Sequence, residues 1–178
     1  MLHMIGRTKK MNKKQLEKLV NSLAWNDGYG CYTRTGFEKL IWPTIAEKAK
    51  WIIFFDIDNM HDLNELHGHS GVDAIIKKCL AMRANDYIAG QHFSGDEFII
   101  CVTDDPAREP SNPLQLCERL QVIFSENGVP ATFAIVPAIS LSLIESVDPA
   151  VRMVEQAKKL DHRGRIHFQS KGANNGSQ

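Results

Sequence analysis

The stretch WIIFFDID, residues 51–58, limits the possible folds more than any other part of this chain. Its apolar residues are continuous rather than alternating with polar ones, which is typical of a strand buried on both faces. Such a strand lies inside a sheet and needs further elements packed on both sides. The run ends abruptly in acidic residues, so chemistry is expected at its end.

The patterns on either side of this strand predict alternating helices and strands. A proline, Pro43, is expected near a helix start or break, and the HGHSG stretch interrupts the third helical pattern. The fold class is therefore α+β, with helices packed on a central mixed sheet. Helical spacing covers residues 11–24, 37–50, 63–84, 114–124 and 148–160, the last with an Asp-Pro start, and strand patterns cover 51–58, 86–93, 96–102 and 131–143.

Two of these strands form a predicted hairpin in the stretch HFSGDEFII, joined across the two residues Ser94 and Gly95. If the hairpin lies beside the buried strand, the carboxylates of Asp56, Asp96 and Glu97 converge at one edge of the sheet. Like charges buried together require a cation, and oxygen-only ligands suit Mg²⁺ or Mn²⁺. Alternatively, the hairpin acids simply point into water.

The composition describes one ordinary globular domain. The chain has 178 residues, 21 basic and 21 acidic, and 43% hydrophobic content, which argues against a polybasic nucleic-acid binder. It contains neither a signal-peptide pattern nor an apolar run long enough for a membrane span. Scattered cysteines without a C-x-x-C pair favour buried thiols over a disulfide or zinc site, and hence a reducing, cytoplasmic location. The cysteines are Cys31, Cys79, Cys101 and Cys117.

The motifs FDID…N…GH…D and SGDEF, in this order and spacing, resemble the GGDEF family of diguanylate cyclases. Looser matches are NDGYGCYTRTGF to the family's entry loop, ATFAIVPA to one of its strands, and AVRMVEQAKKLDHRGR to its closing helix. The resemblance covers roughly residues 25–168. It implies a palm-like, ferredoxin-type sheet in a catalytic domain over residues 25–170, between a helical extension at 1–24 and a flexible tail at 171–178.

The resemblance also implies a metal site and a reaction. Asp56, the backbone carbonyl of Ile57 and Asp96 are expected to hold Mg²⁺ or Mn²⁺, with Glu97 assisting beside them. The implied reaction is attack of a ribose 3′-hydroxyl on the α-phosphate of GTP, with pyrophosphate leaving. Asp96 is expected to be the proton acceptor or a ligand of a second metal ion.

Substrate-binding residues follow from the same resemblance. Asn64 and Asp73 match the family's guanine-reading residues, and a carboxylate accepts from guanine N1–H and N2–H but not from adenine. Alternatively, these two residues cap or begin helices. Lys158 and either Arg163 or Arg165 match the triphosphate contacts, although cations at an exposed helix end are otherwise ordinary solvated charges.

Several positions depart from the family pattern. Ser94 replaces the first glycine of the signature and, with Gly95, abuts the expected nucleotide. His61 stands where the family has a lysine that helps to hold the phosphates, so reduced turnover is expected. Val72 and Val136 replace glycines. The family's inhibitory R-x-x-D motif is displaced to residues 83–86, so feedback inhibition is expected to be lost.

The resulting hypothesis is a metal-dependent diguanylate cyclase that works as a homodimer, with GTP as substrate. The amphipathic N-terminal helix is a candidate dimer contact, although it could equally pack on its own domain. The alternative hypothesis is a degenerate GGDEF domain that binds GTP or a cyclic dinucleotide and acts through a regulatory protein partner.

Overall fold

The computed structural model describes residues 12–82, 87–93, 95–104 and 112–169. Helices pack on both faces of one mixed sheet, which confirms the predicted α+β fold. The α-helices are α1 Lys13–Ala24, α2 Arg34–Gly36, α3 Trp42–Ile45, α4 Met60–His67, α5 His69–Ala81, α6 Pro113–Glu126 and α7 Leu143–Lys159. The strands are β1 Trp25–Asn26, β2 Cys31–Tyr32, β3 Ala49–Ile57, β4 Ile88–Gln91, β5 Glu97–Thr103, β6 Ala131–Pro137 and β7 Ile166–Phe168.

The predicted buried strand, β3, lies inside a seven-stranded sheet of order β1-β2-β4-β5-β3-β6-β7. It pairs antiparallel with β5 on one side and with β6 on the other. Its side chains alternate between two cores, with Ile53 and Phe55 facing one and Ile52 and Phe54 facing the other. The continuous apolar run is thereby explained, since both faces of the strand are buried.

The helices divide between these two cores. Helices α5 and α6 cover one face of the sheet, and α7 covers the other together with the helical segment that precedes β3. That segment includes a π-helical turn, Phe37–Ile41, which ends two residues before Pro43. Because proline has no N–H and its ring crowds the carbonyl four residues earlier, the helix widens there, which confirms the predicted break.

The break in the HGHSG stretch is also confirmed. Helix α4 ends and α5 begins at Gly68, whose φ of 69° is readily adopted only by glycine. The Gly68 N–H donates to the Asn64 carbonyl, which closes the last turn of α4. Gly68 therefore lets the chain change direction between the two helices that carry the expected guanine-reading residues.

The hairpin connection is longer than the two residues predicted. The β4–β5 ladder runs to Gln91 opposite Phe98, and the His92 N–H donates to the Glu97 carbonyl at 2.8 Å. The next N–H, that of Phe93, donates instead to the Glu97 side chain at 3.2 Å, so the chain leaves the ladder before the predicted turn.

The start of α7 was also predicted wrongly. The helix begins at Leu143, with the Ser142 side chain as its N-cap, and Pro149 lies inside it. The cap and the buried residues Val147 and Ala150 outweigh the Asp-Pro signal. Strand β6 consequently ends at Pro137, and the short strands β1, β2 and β7 were not predicted.

The remaining general predictions have mixed outcomes. All four cysteines are buried and form no disulfide, as expected. Among the described residues, no helix is both long and apolar enough to cross a membrane. The predicted tail at 171–178 and the displaced R-x-x-D motif at 83–86 lie outside the described residues, and the domain boundaries stay predictions.

Candidate functional site

The candidate site lies where β3 leaves the core. Asp56 is opposite Glu97 of β5 and opposite Thr132 of β6. One residue later, the Ile57 N–H donates to the Asp96 carbonyl at 3.0 Å, so the end of β3 is joined to the hairpin turn. The sheet therefore brings Asp56 beside the two adjacent acids of the signature, as the sequence predicted.

A lysine ammonium already occupies this acidic edge. Lys158, in the last turn of α7, places Nζ 2.8 Å from Asp56 Oδ1 and 3.3 Å from Asp58 Oδ1. The same nitrogen donates to the Ile57 carbonyl at 3.2 Å. Three oxygens from consecutive residues at the strand end thus surround one cation, which partly offsets the negative charge of the two carboxylates.

Asp58 anchors this arrangement, and the sequence analysis missed it. Its carboxylate is almost fully buried and accepts from Thr132 Oγ1 at 2.8 and 3.0 Å. It also accepts from the Gly164 N–H at 3.0 Å. The bonds join the end of β3 to β6 and to the turn after α7. Strand alternation was the available signal, because residues two apart face the same side.

The pKa of Asp56 is raised to about 6. Burial is the main cause, and the neighbouring carboxylates of Asp96 and Glu97 add to it, while Lys158 acts in the opposite direction. The charged form of Asp56 is thus costly here in spite of its lysine partner. Additional positive charge at this edge would relieve that cost.

The donor set fits a hard divalent cation. The Asp56 carboxylate and Ile57 carbonyl already converge on a positive charge, and Asp96 is close enough to raise the pKa of Asp56. Glu97 instead directs Oε2 to His92 Nδ1 at 3.0 Å. Within the described ranges, no three His, Cys, Asp or Glu side chains form a ready metal site. The three carboxylates thus share this edge without forming a ready metal site, and substrate oxygens would have to complete the coordination by Asp56, the Ile57 carbonyl and Asp96.

The expected guanine-reading residues lie on two helices that pack together. Asn64 is in the last turn of α4, and Asp73 is in the second turn of α5; both are partly buried. Burial and the nearby Asp73 carboxylate raise the pKa of the Tyr29 hydroxyl. Tyr29 was not predicted as a site residue, since its loop matched the family only loosely.

The other predicted residues lie at more exposed positions. His61 has an 84% exposed side chain and pairs with Glu65 at 3.3 Å. Arg163 and Arg165 are exposed, and the Arg165 backbone carbonyl accepts from the Phe133 N–H. Gly95 is exposed in the hairpin turn, and Ser94 lies outside the described residues. The roles of these residues stay predictions.

Comparison with known proteins places the fold. No protein-family model matches the chain, and no curated protein matches it. Solved structures do match. A microbial GGDEF domain that interacts with bis-(3,5)-cyclic di-GMP superposes with a TM-score of 0.67 at 18% identity, covering 83% of this chain and 99% of that one. The chain has the fold of a GGDEF domain.

Two further GGDEF structures agree with this assignment. The coiled coil and GGDEF domain of DgcB from Caulobacter crescentus, in complex with c-di-GMP, gives a TM-score of 0.63 at 16% identity, covering 88% of this chain and 91% of that one. The diguanylate cyclase SiaD from Pseudomonas aeruginosa, in complex with its activator SiaC, gives a TM-score of 0.64 at 15% identity. This match covers 88% of this chain and 67% of that one. The resemblance read from the motifs is confirmed at the level of the GGDEF fold.

The raised pKa of Asp56 predicts a specific pH dependence of stability. Because the folded protein binds this proton more tightly than the unfolded chain, the carboxyl stabilises the fold most below its unfolded pKa of 3.8, and this contribution is lost as the pH rises through about 6. Asp56→Asn has no proton to lose. Its metal-free stability relative to the native protein should therefore rise by about 1–2 kcal/mol from about pH 4 to about pH 8, after allowance for solvent screening.

Urea unfolding in a chelating buffer measures this difference across the pH range. Asp62→Asn, which removes an exposed carboxylate from α4, is the control for a general charge effect. A stability difference between Asp56→Asn and the native protein that does not change with pH would contradict the assignment.

Proposed function

We propose that the protein is a diguanylate cyclase that condenses two GTP molecules into cyclic di-GMP with release of two pyrophosphates. The observation that carries the proposal is the strand end itself. In a GGDEF fold, Asp56 and the Ile57 carbonyl converge on a cation, beside the Asp96 of the signature. This is the arrangement needed to bind a divalent cation together with a triphosphate.

Asp56, the Ile57 carbonyl and Asp96 would hold Mg²⁺ or Mn²⁺. A metal ion bound there would supply charge neutralisation at the α-phosphate and lower the pKa of the attacking 3′-hydroxyl. Asp96 would accept the proton of that hydroxyl, with Glu97 beside it. Lys158 would then exchange its carboxylate partners for triphosphate oxygens, because its ammonium lies at the strand end.

Asp73 and Asn64 would select the base. The carboxylate of Asp73 accepts two N–H groups from guanine, whereas adenine presents an acceptor at N1 and would leave it without a donor. A buried polar group left unpaired costs about 1–3 kcal/mol, enough for roughly tenfold or greater discrimination. Their partly buried positions on α4 and α5 agree with this role.

The direct test is incubation of purified protein with GTP, and separately ATP, in the presence of Mg²⁺ or Mn²⁺, with products separated by chromatography and identified by mass. We expect cyclic di-GMP from GTP only, and at least about a hundredfold loss of product in Asp96→Ala. Glu155→Ala, an exposed acid on α7, is the matched control and should retain activity. No cyclic di-GMP at high protein concentration would refute the cyclase.

His61 gives a second test of the same reaction. The His61 side chain is 84% exposed, and a histidine in general carries less positive charge near neutral pH than the lysine of the family pattern. His61→Lys should therefore raise kcat by about two- to tenfold. His67→Lys adds the same group to the other end of α4 and should leave kcat unchanged. Equal rates for native protein and His61→Lys would remove His61 from the phosphate site.

Homodimer formation is part of the proposal, since two bound GTP molecules must face each other. Helix α1 offers a surface for it. Leu16, Leu19 and Leu23 are 52%, 42% and 67% exposed, respectively, within the part of the chain that the structure describes. Only Ala24 of this helix is buried, so the described residues leave most of its apolar stripe uncovered. The structure thus favours the intermolecular role over the intramolecular one.

A charge placed in this stripe should weaken the dimer. Leu19→Glu should raise the dimer dissociation constant at least about tenfold, since burying an unpaired carboxylate is costly, and lower product formation while GTP still binds. Asn21→Glu introduces the same charge on the other side of α1 and should have little effect. Sedimentation equilibrium measures both, and an unchanged dimer in Leu19→Glu would exclude α1 as the contact.

The alternative is a binding module that holds GTP or a cyclic dinucleotide and acts through a protein partner. The observation that favours it is the internal ion pairing, because Lys158 already offsets part of the negative charge at the strand end without a metal ion. GTP or cyclic di-GMP binding by calorimetry, with no product in the assay above, would support this module and refute the enzyme.

A further inference from the structure

The ammonium of Lys158 lies against two of the three groups that are expected to bind a metal ion. Its Nζ is 2.8 Å from Asp56 Oδ1 and 3.2 Å from the Ile57 carbonyl oxygen. Magnesium binds oxygen ligands at about 2.1 Å. An ion bound to these same two oxygens would therefore meet the ammonium at close range.

The contact between the ammonium and Asp56 leaves one oxygen poorly satisfied. Asp56 Oδ1 is buried, and no donor among the described residues makes a hydrogen bond to it. Nζ is within reach at 2.8 Å, but the angles at this contact are not those of a hydrogen bond. A metal ion has no donor direction to align, so this oxygen is suited to a cation other than the ammonium.

A third contact holds Lys158 without involving an expected metal ligand. Lys158 lies in the last turn of α7, and its Nζ is 3.3 Å from Asp58 Oδ1. The Asp58 carboxylate is itself fixed, because it accepts from Thr132 Oγ1 and from the Gly164 N–H. The ammonium can thus keep Asp58 as a partner while it leaves the other two oxygens.

We propose that Lys158 competes with the metal ion for Asp56 and the Ile57 carbonyl, so that the protein binds a divalent cation tightly only together with a triphosphate. The inference rests on the proposed role of these two groups as metal ligands. Without nucleotide, a divalent cation there is repelled by the nearby ammonium, and such repulsion is strong in partly buried surroundings. Triphosphate oxygens offer the ammonium new partners and add negative charge. Binding of the cation and of the nucleotide is then coupled, and each raises the affinity for the other.

The test is Mn²⁺ binding without nucleotide, measured by electron paramagnetic resonance of the free ion. Lys158→Met removes the ammonium and keeps a long side chain in its place. The native protein should bind Mn²⁺ weakly, and the Kd should be at least about tenfold lower in Lys158→Met. Lys159→Met is the matched control, because it removes the same charge from the exposed neighbour on α7 and should leave the Kd unchanged.

A second measurement uses the native protein alone. With saturating 3′-deoxy-GTP, which lacks the attacking hydroxyl and cannot be cyclised, water proton relaxation should report protein-bound Mn²⁺ at concentrations that give none without nucleotide. If Lys158→Met does not fold because the buried Asp58 carboxylate has lost its cation, Asp58→Asn combined with Lys158→Met replaces it. The asparagine side chain still accepts a hydrogen bond there and carries no charge. Asp58→Asn alone is then the reference for the Mn²⁺ Kd.

Asp56→Asn separates failure of this competition from failure of the metal site. If Mn²⁺ binding is lost in Asp56→Asn, the metal site stands. Tight nucleotide-free binding by the native protein, equal Kd values for native protein and Lys158→Met, or an equal fall in Lys159→Met would then refute the competition.

The metal site itself fails under different results. If Asp56→Asn leaves Mn²⁺ binding unchanged, or if no Mn²⁺ binds to native protein or Lys158→Met with or without 3′-deoxy-GTP, the proposed metal site is refuted and the competition with it. None of these measurements requires formation of cyclic di-GMP, so failure of the cyclase is seen separately in the product assay.

Discussion

The rest of the structure depends on how the negative charge at the end of β3 is balanced. The nine residues of β3 cross the core between two layers of helices, with Asp56 near the end of the strand and Asp58 directly after it. Carboxylates at the margin of a low-dielectric core destabilise the fold unless positive charge meets them. Lys158 supplies that charge from the end of α7, so one ion-pair cluster fixes the end of the central strand and the end of the last helix together.

The same cluster explains why two functions are compatible with one fold. A domain that balances its acids internally can stay folded without a metal ion, and can therefore lose catalysis without losing its structure. A domain that exchanges Lys158 for a metal ion and triphosphate oxygens gains a catalytic centre at the same place. In the proposed cyclase, activity would depend on groups around the cluster, such as Asp96 and His61, rather than on the fold alone.

Much of the fold was predictable because its signals are local. The continuous apolar run of β3, the break at Gly68 and the disruption at Pro43 each follow from residue type and spacing. The errors arose where a local signal competed with tertiary packing. The Asp-Pro pair suggested a helix start, yet Pro149 lies inside α7, because Ser142 caps the helix and Val147 packs in the core. The hairpin turn was misjudged because the Glu97 side chain accepts an N–H that would otherwise continue the ladder.

The sequence by itself determined that a strand buried on both faces is followed by acidic residues and that a hairpin elsewhere in the chain also carries acidic residues. Periodicity and residue type are properties of the chain alone. Only the tertiary structure decided which side chains pair with these acidic residues. The contacts of Lys158 with Asp56 and of Thr132 with Asp58 join residues 102 and 74 positions apart, respectively. Such contacts depend on strand order and helix packing, which bring distant segments together in ways that local spacing does not specify.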